Sequence, residues 1–119
     1  MLQDRARTFL KGLVTIEKAG IGTDSFLGEY GMNLSKQARA VAIPSLEIDQ
    51  PDCRRVAHSS SVGPIDETQL FYLRARGLGE AAARSLLTWA FASDLVRKME
   101  IEPLRRTVER HLQAHLPGV

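Results

Sequence analysis

The sequence contains a single cysteine, Cys53, among 119 residues. An internal disulfide is thereby excluded, so the fold must hold without crosslinks. No apolar run approaches the roughly 18 residues that a membrane-spanning helix requires, and no membrane partner is expected. The first residues, MLQDRARTFLKG, mix both signs of charge and lack the apolar centre of a secretory signal. Fixed-period repeats are also missing from the letters, so self-similarity gives no argument for a solenoid. The formal net charge is only +2. A phosphate-tracking surface needs clustered Lys and Arg, and this small excess does not argue for nucleic acid. Together these features fit a reducing, cytoplasmic setting.

What is present is an ordinary globular mixture, 44% hydrophobic and 25% charged, in a length that suits one domain. The chain changes character near Pro64. Residues 1–63 read as strand segments separated by turns, and residues 64–119 as helices. In FLKGLVTIE, residues 9–17, Leu10, Gly12, Val14 and Ile16 share one side of a period-2 pattern, which predicts a half-buried strand. The stretch AGIGTDSFLGEYGMN holds four glycines and reads as turns around a short, poorly defined segment. Val41 and Ile43 share one parity, and Leu46 and Ile48 the other. A bulge or corner at Pro44 is expected to switch the faces. A further strand is expected from Cys53 to His58, with Ser59-Ser60-Ser61 as a turn before the first helix.

That helix carries a complete start signal. Asp66 is placed as N-cap with Gln69 three residues on, and Ile65 and Leu70 can form the hydrophobic staple across the cap. Gly77 suits the left-handed residue just past its end. A second helix, roughly Glu80 to Lys98, has charges that favour its macrodipole at both ends. Its expected apolar stripe is Ala82, Leu86, Ala90 and Leu95, widened by Leu87, Trp89, Phe91 and Met99. Pro103 suits the first position of a third helix, with Leu104, Val108, Leu112 and Leu116 as its stripe and Pro117-Gly118-Val119 as its stop. Three or four short strands bury little apolar surface and leave edges unpaired. The strand half therefore reads as the end of a larger sheet, or as half of one shared between chains.

The string VAHSSSVGPIDETQLFYLRARGL, Val56 to Leu78, resembles the C-terminal signature of the SufB/SufD family of iron–sulfur cluster assembly proteins. In that family a histidine segment is followed by small residues, Val-Gly, an acidic helix cap, Leu-Phe-Tyr-Leu and Arg-Gly. NLSKQARAVAIPSLEIDQPD and FLKGLVTIEKAG are similar to the family's β-helix rungs, so the resemblance covers nearly the whole chain, closer to SufD than to SufB. It implies an α+β chain, the end rungs of a right-handed β-helix followed by a small helical domain of two or three helices. It also implies a scaffold without catalysis of its own. Such a scaffold dimerises through strand edges with itself or a SufB/SufD paralogue, and docks a SufC-type ATPase through its helical part. In this reading Asp66, Leu70, Phe71, Tyr72, Arg74, Arg76 and Gly77 occupy the docking motif. His58 matches the family histidine implicated in iron or cluster handling at the dimer interface. No cofactor is expected to be held stably by one chain, with a transient cluster at a dimer interface as the implied cargo. Val56 and Ala57 depart from the family, standing where SufD-like sequences often have Cys-Ser. No counterpart of the SufB-type acceptor cysteine lies between Gly31 and Ala42.

Each of these residues has a plainer reading. His58 is either an iron ligand or a strand-end histidine bonded to nearby backbone. Cys53 is either a sulfur carrier, with Arg54 and Arg55 favouring its thiolate, or a small hydrophobe. The serines beside His58 lack the orienting carboxylate and oxyanion donors that a nucleophile needs, so no enzyme is expected. Phe71, Tyr72 and Leu73 are the residue types of a core and of a docking helix alike. Arg74, Arg76, Arg84, Arg97, Lys98, Arg105, Arg106 and Arg110 make the helical half basic. They form either a solvated face or, in the rival reading, the surface of a stand-alone helical interaction module that binds nucleic acid.

Overall fold

The computed structural model describes residues 1–115; the expected stripe residue Leu116 and the Pro117-Gly118-Val119 stop lie outside the described residues. Among the described residues the fold is α+β, with four strands followed by three helices. It divides into two compact units, Met1–Pro64 and the residues from Ile65 onward, and each is treated by itself.

In the first unit, β1 (Arg7–Ile16) pairs in parallel with β3 (Arg39–Ile48), and β2 (Asp24–Asn33) pairs in parallel with β4 (Arg55–Pro64). The register is unbroken in both pairs. Arg7 stands opposite Arg39 and Ile16 opposite Ile48. Asp24 stands opposite Arg55 and Asn33 opposite Pro64. Two in-register pairs carry polar contacts: Thr15 Oγ1 donates to Glu47 Oε2 at 3.3 Å, and Arg55 Nη2 lies 2.9 Å from Asp24 Oδ1. Cross-strand pairs of this kind help to fix register. Each sheet has two strands only, so each strand has a single sheet partner. An isolated parallel bridge joins Leu2 to Asn33, with Leu2 N–H donating to the Met32 carbonyl at 2.9 Å. Ile16, Ala38 and Glu29 are the buried residues of this unit, whereas Phe9, Leu13, Phe26, Tyr30, Val41 and Ile43 stay exposed.

Three expectations for this unit need correction. The glycine-rich stretch is not a set of turns, because ten of its residues form β2. A Cβ on Gly28 would lie 2.7 Å from Tyr30 Cε2 and 3.1 Å from Phe26 Cε1, so the rings of its i±2 neighbours close over bare backbone. Glycine thus takes a strand position here for a steric reason that hydrophobic periodicity does not register. Nor does Pro44 mark a bulge or a change of face. Gly12 pairs with Pro44 in an unbroken ladder, and Ala40, Ala42, Pro44 and Leu46 share the half-buried face. Proline is tolerated because β3 is paired along one edge only. Finally, Ser59, Ser60 and Ser61 are strand residues, opposite Gly28, Glu29 and Tyr30, and Tyr30 Oη lies 3.0 Å from Ser59 Oγ.

In the second unit, α1 spans Glu67–Ala75, α2 Glu80–Arg97 and α3 Glu102–His115. Pro103 falls in the first turn of α3, one residue inside its start. The core is small, formed by Ile65, Leu70, Ala83, Val96 and the polar Thr88. Thr88 tolerates burial because its hydroxyl donates to the Arg84 carbonyl at 2.8 Å. The buried residues of α2 are therefore Ala83, Thr88 and Val96, and not the Ala82, Leu86, Ala90 and Leu95 stripe that its spacing suggests. Apolar residues surround this helix on most sides, so periodicity alone does not select the packed face.

Candidate functional site

The helix α1 has only nine residues, a length that is marginal without help at its ends. Both ends supply it. Asp66 Oδ1 accepts from Thr68 N–H at 2.7 Å and Gln69 N–H at 3.2 Å. At the other end Gly77 has a φ of +96°, its N–H donates to the Arg74 carbonyl at 3.0 Å, and Leu78 N–H donates to the Leu73 carbonyl at 3.2 Å. These are the paired bonds of a Schellman ending, which needs a residue at ease in the left-handed region. Replacing Asp66 with alanine is expected to lower the stability of the helical unit by about 1 kcal/mol, read as a shift in urea midpoint by far-UV circular dichroism.

Held in this way, α1 turns Leu70 inward, with 2% of its surface exposed, and Phe71 and Tyr72 outward, with 71% and 58% exposed. Ile65 is buried as well, as a staple residue should be. Leu70 thus supports the helix from the core, and Phe71 and Tyr72 present their side chains to solvent. Tyr72 also borders an open groove of about 500 Å³, lined by Thr68, Gln69 and Leu73 of α1 and by Leu86, Leu87 and Ala90 of α2. Leu86 and Ala90, which the core of the unit leaves exposed, form part of the wall of this groove.

The basic residues of the helical unit are mostly matched by acids. Arg74 lies 3.8 Å from Glu80, and Arg84 reaches both Glu80 and Glu67. Lys98 and Arg97 approach Asp94, and Arg105 and Arg106 both reach Glu102. The Arg76 guanidinium lies 5.7 Å from the centroid of the Tyr72 ring, a cation–π distance. Charges matched in this way suit a solvated face.

His58 lies within β4, opposite Leu27, not at a strand end. Its Nδ1 is 3.0 Å from the Pro44 carbonyl. A carbonyl only accepts, so Nδ1 carries a proton, and in the neutral ring the lone pair is left on Nε2, where a metal ligand would need it. Cys53 lies before β4 rather than in it, with Sγ donating to the Gln50 carbonyl at 2.9 Å. Arg55 is engaged by Asp24. Sequence reasoning missed Glu29, a carboxylate that is 4% exposed on the strand face shared with Leu27 and opposite Ser60. Its Oε2 has no hydrogen-bond partner among the described residues. The Ser25, Leu27, Glu29 alternation was the available signal, hidden by Gly28 within it and by the glycines around it. No group of three or more His, Cys, Asp or Glu that could hold a metal ion occurs among the described residues.

Parallel strands paired at near-constant sequence separation, followed by a capped helix beside an apolar groove, make up an α+β chain. Residues 1–91 match the family described as SUF system FeS cluster assembly, SufBD core domain. The iron–sulfur cluster assembly protein SufD of Escherichia coli is 31% identical over 118 residues, covering 99% of this chain and 28% of that protein. A SufBD family protein of Mycobacterium leprae is 37% identical over 100 residues, 84% of this chain and 26% of the relative. SufD of Bacillus subtilis is 30% identical over 106 residues, 89% of this chain and 24% of the relative. The chain belongs to the SufBD family. It spans about a quarter of the length of these curated relatives. No helix among the described residues is long and apolar enough to cross a membrane.

Proposed function

We propose that this chain is a non-catalytic scaffold in iron–sulfur cluster assembly, which docks a SufC-type ATPase through Phe71, Tyr72, Arg74 and Arg76. The observation that carries the reading is the outward pair Phe71 and Tyr72, in the family motif, beside an open apolar groove. Exposed aromatics with arginine neighbours are the residue types that dominate interface energetics. Asp66 and Gly77 act by fixing the helix ends and Leu70 by anchoring it.

In the same proposal the strand unit is the last part of a right-handed β-helix. Its support is the parallel pairing of β1 with β3 and of β2 with β4, at sequence separations of 32 and 31 residues. The Leu2–Asn33 bridge adds a parallel contact on β2 at nearly the same separation. Free strand edges then meet either a second copy or a SufB/SufD paralogue. His58, with its Nε2 available, would meet iron or a transient cluster as cargo there, the remaining ligands coming from the partner. Cys53 as a sulfur carrier is the weaker part of this reading, since its thiol is bonded within its own turn.

The test is calorimetric titration of a SufC-type ATPase into the wild-type chain and into a Phe71→Asp, Tyr72→Asp variant. Wild type is expected to bind. The variant is expected to lose about 30-fold or more in affinity, the equivalent of about 2 kcal/mol at a hot spot. Equal binding by the two, or none by wild type, removes the docking proposal. Both positions are exposed, so circular dichroism should show the helices intact in the variant.

A further inference from the structure

The last turns of α3 carry two histidines four residues apart, His111 and His115, which neither the family motif nor the docking groove uses. Residues at i and i+4 share one helical face, and two histidines at that spacing are a recurrent way to grip a metal ion. Here the rings already lie together, with centroids 4.3 Å apart and planes inclined by 36°. His115 Nδ1 is 2.8 Å from the His111 carbonyl oxygen. That oxygen accepts only, so in the neutral ring the proton sits on Nδ1 and the lone pair is left on Nε2. Metal-bound histidines commonly have this arrangement, with the second ring nitrogen donating to a carbonyl that fixes tautomer and orientation. Both side chains are exposed, so hydrated ions reach them freely. The site also lies at the C-terminal end of a helix, where the macrodipole favours positive charge.

We propose that His111 and His115 form a two-imidazole clamp for a divalent transition-metal ion of the borderline class that includes zinc, nickel and copper. Imidazole nitrogen suits this class, whereas calcium and magnesium require oxygen donors. The chain supplies two ligands, and water fills the other positions of the coordination sphere. Arg110, adjacent to His111 on the same surface groove, is the opposing charge and limits the affinity. The clamp is independent of the docking proposal and stands whether or not an ATPase binds.

Zinc chloride alone is the probe, titrated into the full chain at neutral pH in a non-chelating buffer. Hydrogen exchange is followed in parallel over residues 105–115. One zinc per chain is expected, with slowed exchange in this segment, because a clamp spanning one turn holds that turn closed. His111→Ala and His115→Ala are each expected to weaken binding by about tenfold or more and to abolish the protection. Cys53→Ser and His58→Asn are expected to bind as wild type does. Magnesium is expected to give neither heat nor protection. The clamp is overturned if wild type takes up no zinc, if either α3 variant binds as tightly as wild type, or if Cys53→Ser or His58→Asn abolishes binding.

Discussion

Truncating Leu70 to alanine is expected to destabilise the helical unit by about 2–5 kcal/mol, the range found for leucines removed from packed cores. The unit has few buried side chains to share that loss. Leu70 and Ile65 flank the N-cap of α1, and α2 contributes only Ala83, Thr88 and Val96. Folding stabilities of small domains are themselves only several kcal/mol, so a loss at the upper end leaves the helices largely unfolded at ambient temperature. Urea titration followed by far-UV circular dichroism measures it. A cost below about 1 kcal/mol would mean that the unit's stability resides somewhere other than this staple. The same reasoning makes Leu70 unsuitable for testing docking, because its loss removes the surface along with the anchor.

Adding one methyl group at Gly12 is the second change with a large expected effect. A Cβ there would lie 2.5 Å from Glu29 Oε1 and 3.0 and 3.3 Å from the two Leu27 methyl carbons. Glu29 is buried, so its carboxylate cannot swing into water to make room. Gly12→Ala is therefore expected to cost about 1–3 kcal/mol through overpacking. In a Glu29→Ala background the nearest obstacle is gone, and most of that cost should vanish. A double-mutant cycle by thermal or urea unfolding reads the coupling directly. Additive effects of the two changes would show that the carboxylate is not what keeps position 12 small.

Legibility in the sequence followed the physical strength of each signal. The caps of α1 were readable because Asp66 and Gly77 have steric and hydrogen-bonding roles that few other residues fill. β1 was readable from the alternation Gly12, Val14, Ile16, which the burial of its second half repeats. β2 was not, since Gly28 and Gly31 carry no hydrophobic mark although neighbouring side chains occupy the space beside them. Pro44 misled for the opposite reason: its missing N–H matters in a central strand and little in a strand with one partner. The packed face of α2 depended on which neighbours cover it, a tertiary fact that spacing does not contain. For the candidate site, the motif from Asp66 to Gly77 was visible, but not which of Leu70, Phe71 and Tyr72 points inward. Core and docking surface draw on the same residue types.

The long reach of the strand pairings bears on how fast the two halves form. Every rung of β1 on β3 must close a loop of about 32 residues before its first hydrogen bond is gained, whereas α1 and α2 assemble from neighbours in the chain. Local contacts form in microseconds to milliseconds, and non-local parallel pairings are slower by orders of magnitude. The helical half is therefore expected to form first, leaving the still unpaired backbone edges of the strand half open to association between copies.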